Sequence, residues 1–175
     1  VSDTASGIVL GLFNVVRKGY HVLEVSNNDG IFVNLAYKTG TRKFYTNYIG
    51  SIRADTTAFG QHPLWAVGLG FGSWIPLSKN ERWRLTLDLT AQHISMGVFA
   101  PKLGNELLRF APALNLQMSK KLGLAIAPTF NAYYSDMSDE SEAAVFRKKI
   151  VPSWKVQQSG KWRYWFGGYA ALRFF

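Results

Sequence analysis

A histidine at 93, a serine at 95 and a glutamate at 106 are the residue types that acyl transfer requires. The hydroxyl attacks, the imidazole takes its proton, and the carboxylate orients the imidazole. His93 and Ser95 stand two positions apart, which puts them on one face of a β-strand at its outer, lipid-side end. Glu106 opens the next alternating run, so antiparallel pairing of the two runs could let the three meet. The same residues also fit a plain strand end at a membrane interface, with no chemistry attached. A second group is Arg84, Asp88 and Arg109, isolated charges on faces otherwise built of Gly, Ala, Thr, Asn and Gln. Charges in such a setting point to pairing across a narrow interior.

Other chemistries find no support. The chain has no cysteine, which removes thiolate metal sites and disulfides. His21 and His62 are isolated from further ligands. The acidic run Asp136, Asp139, Glu140 and Glu142 lacks the glycine of an EF-hand loop and reads as a solvated loop. Gly68, Gly70 and Gly72 recur at every second position with no helix after them, so they do not form a phosphate-binding loop. No cofactor and no metal are expected.

The elements that must position these residues are strands. Pro63–Ser95 is an amphipathic hairpin: Trp65, Val67, Leu69, Phe71, Trp83, Leu85, Leu87 and Leu89 share one face. Ala66, Gly68, Gly70, Gly72, Arg82, Arg84, Thr86, Asp88 and Thr90 share the other. Similar alternation runs through Tyr20–Ser26, Ile31–Thr39, Lys43–Arg53, Asn105–Met118, Leu122–Tyr134 and Lys161–Phe175, which makes eight strands from Tyr20 onward. Short turns follow Thr39, Ser73 and Met118, and longer links follow Arg53, Ser95 and Tyr134. The link after Ser26 is short where the alternation allows a long loop. An even strand count with one rim of short turns and one of long loops predicts an all-β, antiparallel up-and-down transmembrane β-barrel. Ten strands become the count if Gly7–Val16 joins the wall. Residues 1–19 are read as the end of an upstream repeat or linker, and 20–175 as the barrel.

The composition of the two faces separates a membrane barrel from a soluble one. A solvated face is rich in Lys and Glu, whereas here the less apolar face is built of small residues with only isolated charges, which suits a filled lumen. The large apolar face then meets lipid, with Tyr37, Trp74, Trp83, Tyr134, Trp162 and Trp165 as interfacial girdles. Eight strands leave no room for a channel. Phe166, Leu172 and Phe174 are expected to face lipid, although Arg173 shares a register with Phe175 and blurs that choice. Pro112 and Pro128 lie inside adjacent strands, where a missing N–H predicts a bulge or a local irregularity.

Net charge is +9, which calls for an anionic partner. Arg17, Lys18, Arg42, Lys43, Lys79, Arg82, Lys120 and Lys121 fall at the short-turn rim, as a basic collar on the periplasmic side. No basic face with interleaved aromatics emerges, so nucleic acid is not an expected partner. The expected partners are outer-membrane lipid, lipopolysaccharide, and other outer-membrane or periplasmic proteins.

Three stretches carry a resemblance. Gly7-Ile8-Val9-Leu10-Gly11-Leu12-Phe13-Asn14 is followed by Lys18-Gly19-Tyr20-His21, and Lys38-Thr39-Gly40-Thr41 by Phe44-Tyr45. The third is Ala127-Pro128-Thr129-Phe130-Asn131. Together they resemble surface-repeat and β-barrel proteins of Bacteroidota-type outer membranes. The terminal pair Phe174-Phe175 resembles the assembly signal of bacterial outer-membrane proteins. These resemblances imply a bacterial outer-membrane location and a non-enzymatic anchor or accessory subunit of an envelope complex. His93-Ile94-Ser95 is also similar to the motif of an outer-membrane lipid A deacylase, itself an eight-stranded barrel. That similarity implies a lipid A acyl-hydrolase with His93, Ser95 and Glu106, although Met96 stands where that enzyme has Asn.

Overall fold

The computed structural model describes residues 20–29, 32–41, 43–53, 64–96, 105–135, 157–159 and 161–175. The upstream segment 1–19 lies outside them, as do Arg42 and the acidic run at 136–142. The strands are β1 (Tyr20–Asn28), β2 (Phe32–Gly40), β3 (Tyr45–Arg53), β4 (Leu64–Pro76) and β5 (Trp83–Met96). They continue as β6 (Asn105–Gln117), β7 (Leu122–Ser135), β8 (Gln157–Ser159) and β9 (Trp162–Phe174).

Every strand runs antiparallel to its neighbour, and β9 returns to pair with β1 from Leu23↔Phe174 to Asn28↔Tyr169, which closes an eight-stranded barrel. The three-residue β8 lies outside that ring, along the upper edge of β9. Carrying the registers once around returns a position on β1 about ten residues further along the same strand. With a rise of ~3.3 Å per residue and ~4.8 Å between strands, that stagger tilts the strands by about 40°. Membrane barrels tilt by a similar amount.

Alternation governs what each wall residue faces. On β2 and β7 buried and exposed positions alternate almost without break. Outward lie Leu23 and Val25 of β1, Val33 and Leu35 of β2, Tyr48 and Ile52 of β3, and Val67, Leu69 and Phe71 of β4. Leu89, Leu108, Phe110, Leu114, Leu124, Ile126, Phe130, Phe166, Leu172 and Phe174 complete the ring on β5, β6, β7 and β9. Phe166, Leu172 and Phe174 therefore face outward as expected, and Arg173 is turned in. Two of the expected girdle aromatics are corrected: Trp74 and Trp165 are buried, at 6% and 4% exposure. Their positions share the phase of Gly72 and Tyr169, so period two turns them into the lumen.

Hydroxyls close the short turns. Thr41 Oγ1 accepts from Phe44 N at 3.2 Å, Ser78 Oγ from Trp83 N at 3.2 Å, and Ser119 Oγ from Leu122 N at 3.1 Å. Side-chain oxygens that satisfy local N–H groups favour turns over strand continuation. The opposite rim is uneven. Strands β1 to β3 have nine residues each, while β4 to β7 and β9 have thirteen or fourteen, so one flank stands taller. Where tall β9 meets short β1, Asp29 caps the exposed edge. Its Oδ1 accepts from Gly168 N at 2.6 Å and its Oδ2 from Trp165 Nε1 at 3.1 Å.

The prolines fall on one rung. Pairing of β6 with β7 runs to Phe110↔Phe130 and resumes at Leu114↔Ile126, which leaves Pro112 opposite Pro128. The register is the same on both sides of this gap, so no residue is extra and no bulge forms. Both missing donors face each other, which confines the damage to a single interrupted stretch.

Candidate functional site

The lumen is filled from below by four charges that compensate one another. Glu24 of β1 accepts from Lys38 Nζ of β2 at 2.9 Å and from Arg173 Nε of β9 at 2.6 Å, both at Oε2. Lys38 Nζ also reaches Asp88 Oδ2 of β5 at 2.9 Å, and Arg173 Nη2 lies 3.5 Å from the same oxygen. Tyr45 Oη donates to Asp88 Oδ1 at 2.7 Å. Arg173 further donates from Nη2 to Tyr169 Oη at 3.1 Å and from Nη1 to Asn115 Oδ1. None of the four charged side chains is more than 7% exposed.

Such a cluster persists in a low-dielectric interior only because each carboxylate meets cations and further donors on several sides. Strand geometry supplies the convergence. Glu24 and Arg173 are direct cross-strand partners and Lys38 is the diagonal neighbour of Glu24 on β2, whereas Asp88 is reached across the lumen. Tyr45 reaches Asp88 because its cross-strand partner is Gly72: a Cβ there would lie 2.4 Å from the Tyr45 ring. The void beside the cluster, between Glu24, Lys38, Asp88, Arg109 and Tyr169, holds about 20 Å³, which is room for one water.

This geometry corrects the composition of the expected lumen network of Arg84, Asp88 and Arg109. All three side chains have the inward phase, but the ionic partners of Asp88 are Lys38 and Arg173. Arg84 sits at the lower mouth. There it donates to Gln117 Oε1 at 2.5 Å and to Glu81 O at 2.8 Å, and its guanidinium lies 4.6 Å from the centre of the Trp74 ring. Arg109 is higher, fully inside, and donates from Nε to Asn131 Oδ1 at 2.9 Å. The stagger of the registers separates residues that look level in the sequence. Sequence reasoning passed over Glu24, Lys38, Tyr45 and Tyr169. The available signal was a lone charge on the inward phase: Glu24 between Leu23 and Val25, and Lys38 beside Tyr37.

Above the cluster the lumen holds amides and hydroxyls. Ser51 Oγ donates to Asn34 Oδ1 at 2.6 Å and accepts from Gln92 Nε2 at 2.8 Å. Tyr133 Oη and Ser135 Oγ both donate to Asn105 Oδ1, at 2.9 and 2.7 Å.

The candidate relay lies on the outer wall near the tall rim. His93 and Glu106 are direct partners of β5 and β6, and His93 Nδ1–H donates to Glu106 Oε1 at 2.8 Å. Ser95 is paired with Trp65 across β4 and β5. Among the described residues, Ser95 Oγ makes no hydrogen bond to His93. The structure thus joins the imidazole to the carboxylate and leaves the hydroxyl two residues along the strand.

At the opposite rim Lys43, Lys79, Arg82, Lys120 and Lys121 are all exposed, and Arg17, Lys18 and Arg42 of the expected collar lie outside the described residues. Phe174 faces outward. Phe175 closes the lower mouth, with its N–H on Lys121 O at 3.1 Å and its ring centre 5.7 Å from the Arg84 guanidinium.

Comparison of the chain with known protein families, with curated proteins and with solved structures found no match in any of the three.

Proposed function

We propose that the barrel spans a bacterial outer membrane of the Bacteroidota type and acts there as a non-enzymatic anchor or accessory subunit of an envelope complex. The observation that carries this reading is a ring of outward apolar side chains around a lumen closed by buried ion pairs. Water does not tolerate an apolar surface of that extent on a soluble monomer, and lipid requires it. A lumen braced by Glu24, Lys38, Asp88 and Arg173 supports a rigid post in preference to a channel. The exposed lysines at the short-turn rim suit the phosphates of a periplasmic leaflet or an acidic partner.

Purification from outer membranes in detergent tests this. The expected results are heat-modifiable gel mobility, co-purification of stoichiometric partners and no stepwise conductance in planar bilayers. Recovery as a lone soluble species, or a discrete conductance, would overturn the anchor reading.

A second reading rests on the His93–Glu106 bond at 2.8 Å. A lipid A acyl-hydrolase would use His93 as base and Ser95 as nucleophile, with Glu106 orienting the imidazole. Mass analysis of lipid A from cells expressing the wild type and Ser95→Ala decides it. An identical acyl pattern in both removes the enzyme.

A further inference from the structure

The outer wall carries a groove that an anchor leaves unused. Between β5, β6, β7 and β9 the outward side chains Leu89, Phe110, Phe130 and Phe166 flank a hollow of about 750 Å³. Its floor is Ala132, with the backbone of Arg109 and Asn131, whose side chains are bonded to each other in the lumen. The ring walls are fixed by packing. Phe130 meets Phe166 edge-on at 4.6 Å, and Phe110 lies 6.1 Å from Phe130.

The two ends of the groove differ in chemistry. Its lower end lies among the apolar residues of the membrane-facing ring. Its upper end, at the rung of Ala132 and Tyr164, lies one outward rung below Glu106, Tyr134 and Trp162. Tyr134 and Trp162 pack at 5.1 Å, the kind of aromatic pair that marks the headgroup level of a bilayer. Glu106 offers charge at that level. His93 occupies Oε1, the side chain is 48% exposed, and Oε2 has no hydrogen-bond partner among the described residues. An apolar trough inside the ring with a carboxylate at its headgroup end matches an amphiphile with a cationic head.

We propose that this groove seats one acyl chain of a phospholipid whose headgroup carries an ammonium, with that ammonium held at Glu106. The inference rests on the membrane-spanning reading above and does not need the hydrolase reading.

Native mass spectrometry of the detergent-purified full chain tests it, with phosphatidylethanolamine, phosphatidylglycerol of the same acyl chains, and lipid A as probes. The expected result is one phosphatidylethanolamine retained per barrel, about ten-fold more tightly than phosphatidylglycerol. Ala132→Trp fills the floor and removes the lipid. Glu106→Gln erases the preference between the two headgroups while the barrel keeps its heat-modifiable mobility. Retention unchanged in Ala132→Trp, or phosphatidylglycerol or lipid A bound as tightly as phosphatidylethanolamine, would overturn the proposal. So would a dimer that Ala132→Trp dissociates, since the occupant would then be a second copy of the chain. A wild-type chain without heat-modifiable mobility would instead overturn the membrane reading itself.

Discussion

The lower and upper halves of the lumen are both buried and both polar, yet they are held in different ways. Below, Lys38 and Arg173 reach Asp88 across the barrel, tying β2 and β9 to β5. Above, most bonds join neighbouring strands: Ser51 to Asn34 on β3 and β2, Arg109 to Asn131 and Ser135 to Asn105 on β6 and β7. Among the described residues, Gln92 to Ser51 is the cross-lumen exception. The lower half therefore braces the barrel as a whole, and the upper half stitches its wall. Deleting a brace strands several charges at once, whereas deleting a stitch leaves one or two neutral groups unsatisfied.

The sharpest way to break that contrast is Arg173→Met, which leaves Glu24 and Asp88 with Lys38 as their remaining cation. A loss of about 3–5 kcal/mol is expected from urea titration of the barrel in detergent micelles. An equal loss in Arg109→Met would show that the two halves do not differ. Adding Glu24→Leu to Arg173→Met should recover part of the loss, because two buried charges are then removed together.

Gly72→Val comes next. Its side chain would occupy the space of the Tyr45 ring and displace the hydroxyl from Asp88, for about 1–3 kcal/mol by the same titration. Ser51→Ala, in the stitched half, removes the group between Asn34 and Gln92 and should lose about 1–2 kcal/mol. The smallest effect is expected of Ser119→Ala at the short-turn rim, about 0.5–1 kcal/mol, since water can take over the freed N–H groups of Lys121 and Leu122. If Ser51→Ala were as damaging as Arg173→Met, the division between brace and stitch would fail.

The strands, their faces and the count of eight were legible because period two is written residue by residue. Leu23, Val25, Leu35 and Phe166 declare the outside without reference to any partner. Who meets whom inside is not local information. Asp88 pairs with Lys38, fifty residues away, because the stagger of the registers brings them level. Arg84 and Arg109 share its strand pair or lie nearby in sequence, and end up below and above it. Trp74 and Trp165 show the converse. Aromatic type suggested an interfacial position, but the phase of their strands put them in the lumen. At the outer wall, His93 and Glu106 were readable as partners from their places on consecutive strands. The groove below them was not, because it is a hollow made by Ala132 among the rings of β6, β7 and β9.

The proline rung has a consequence for how the wall comes apart. Its two carbonyls have no donor opposite them, which weakens the seam between β6 and β7. The closing seam between β1 and β9 spans only the six rungs from Leu23 to Asn28. The β7–β9 pair, joined over thirteen rungs, is thus bounded on one side by the shortest seam of the ring and on the other by an interrupted one. It forms a leaf hinged between two perforated lines, and amide exchange should detach this leaf as a unit before the rest of the wall yields.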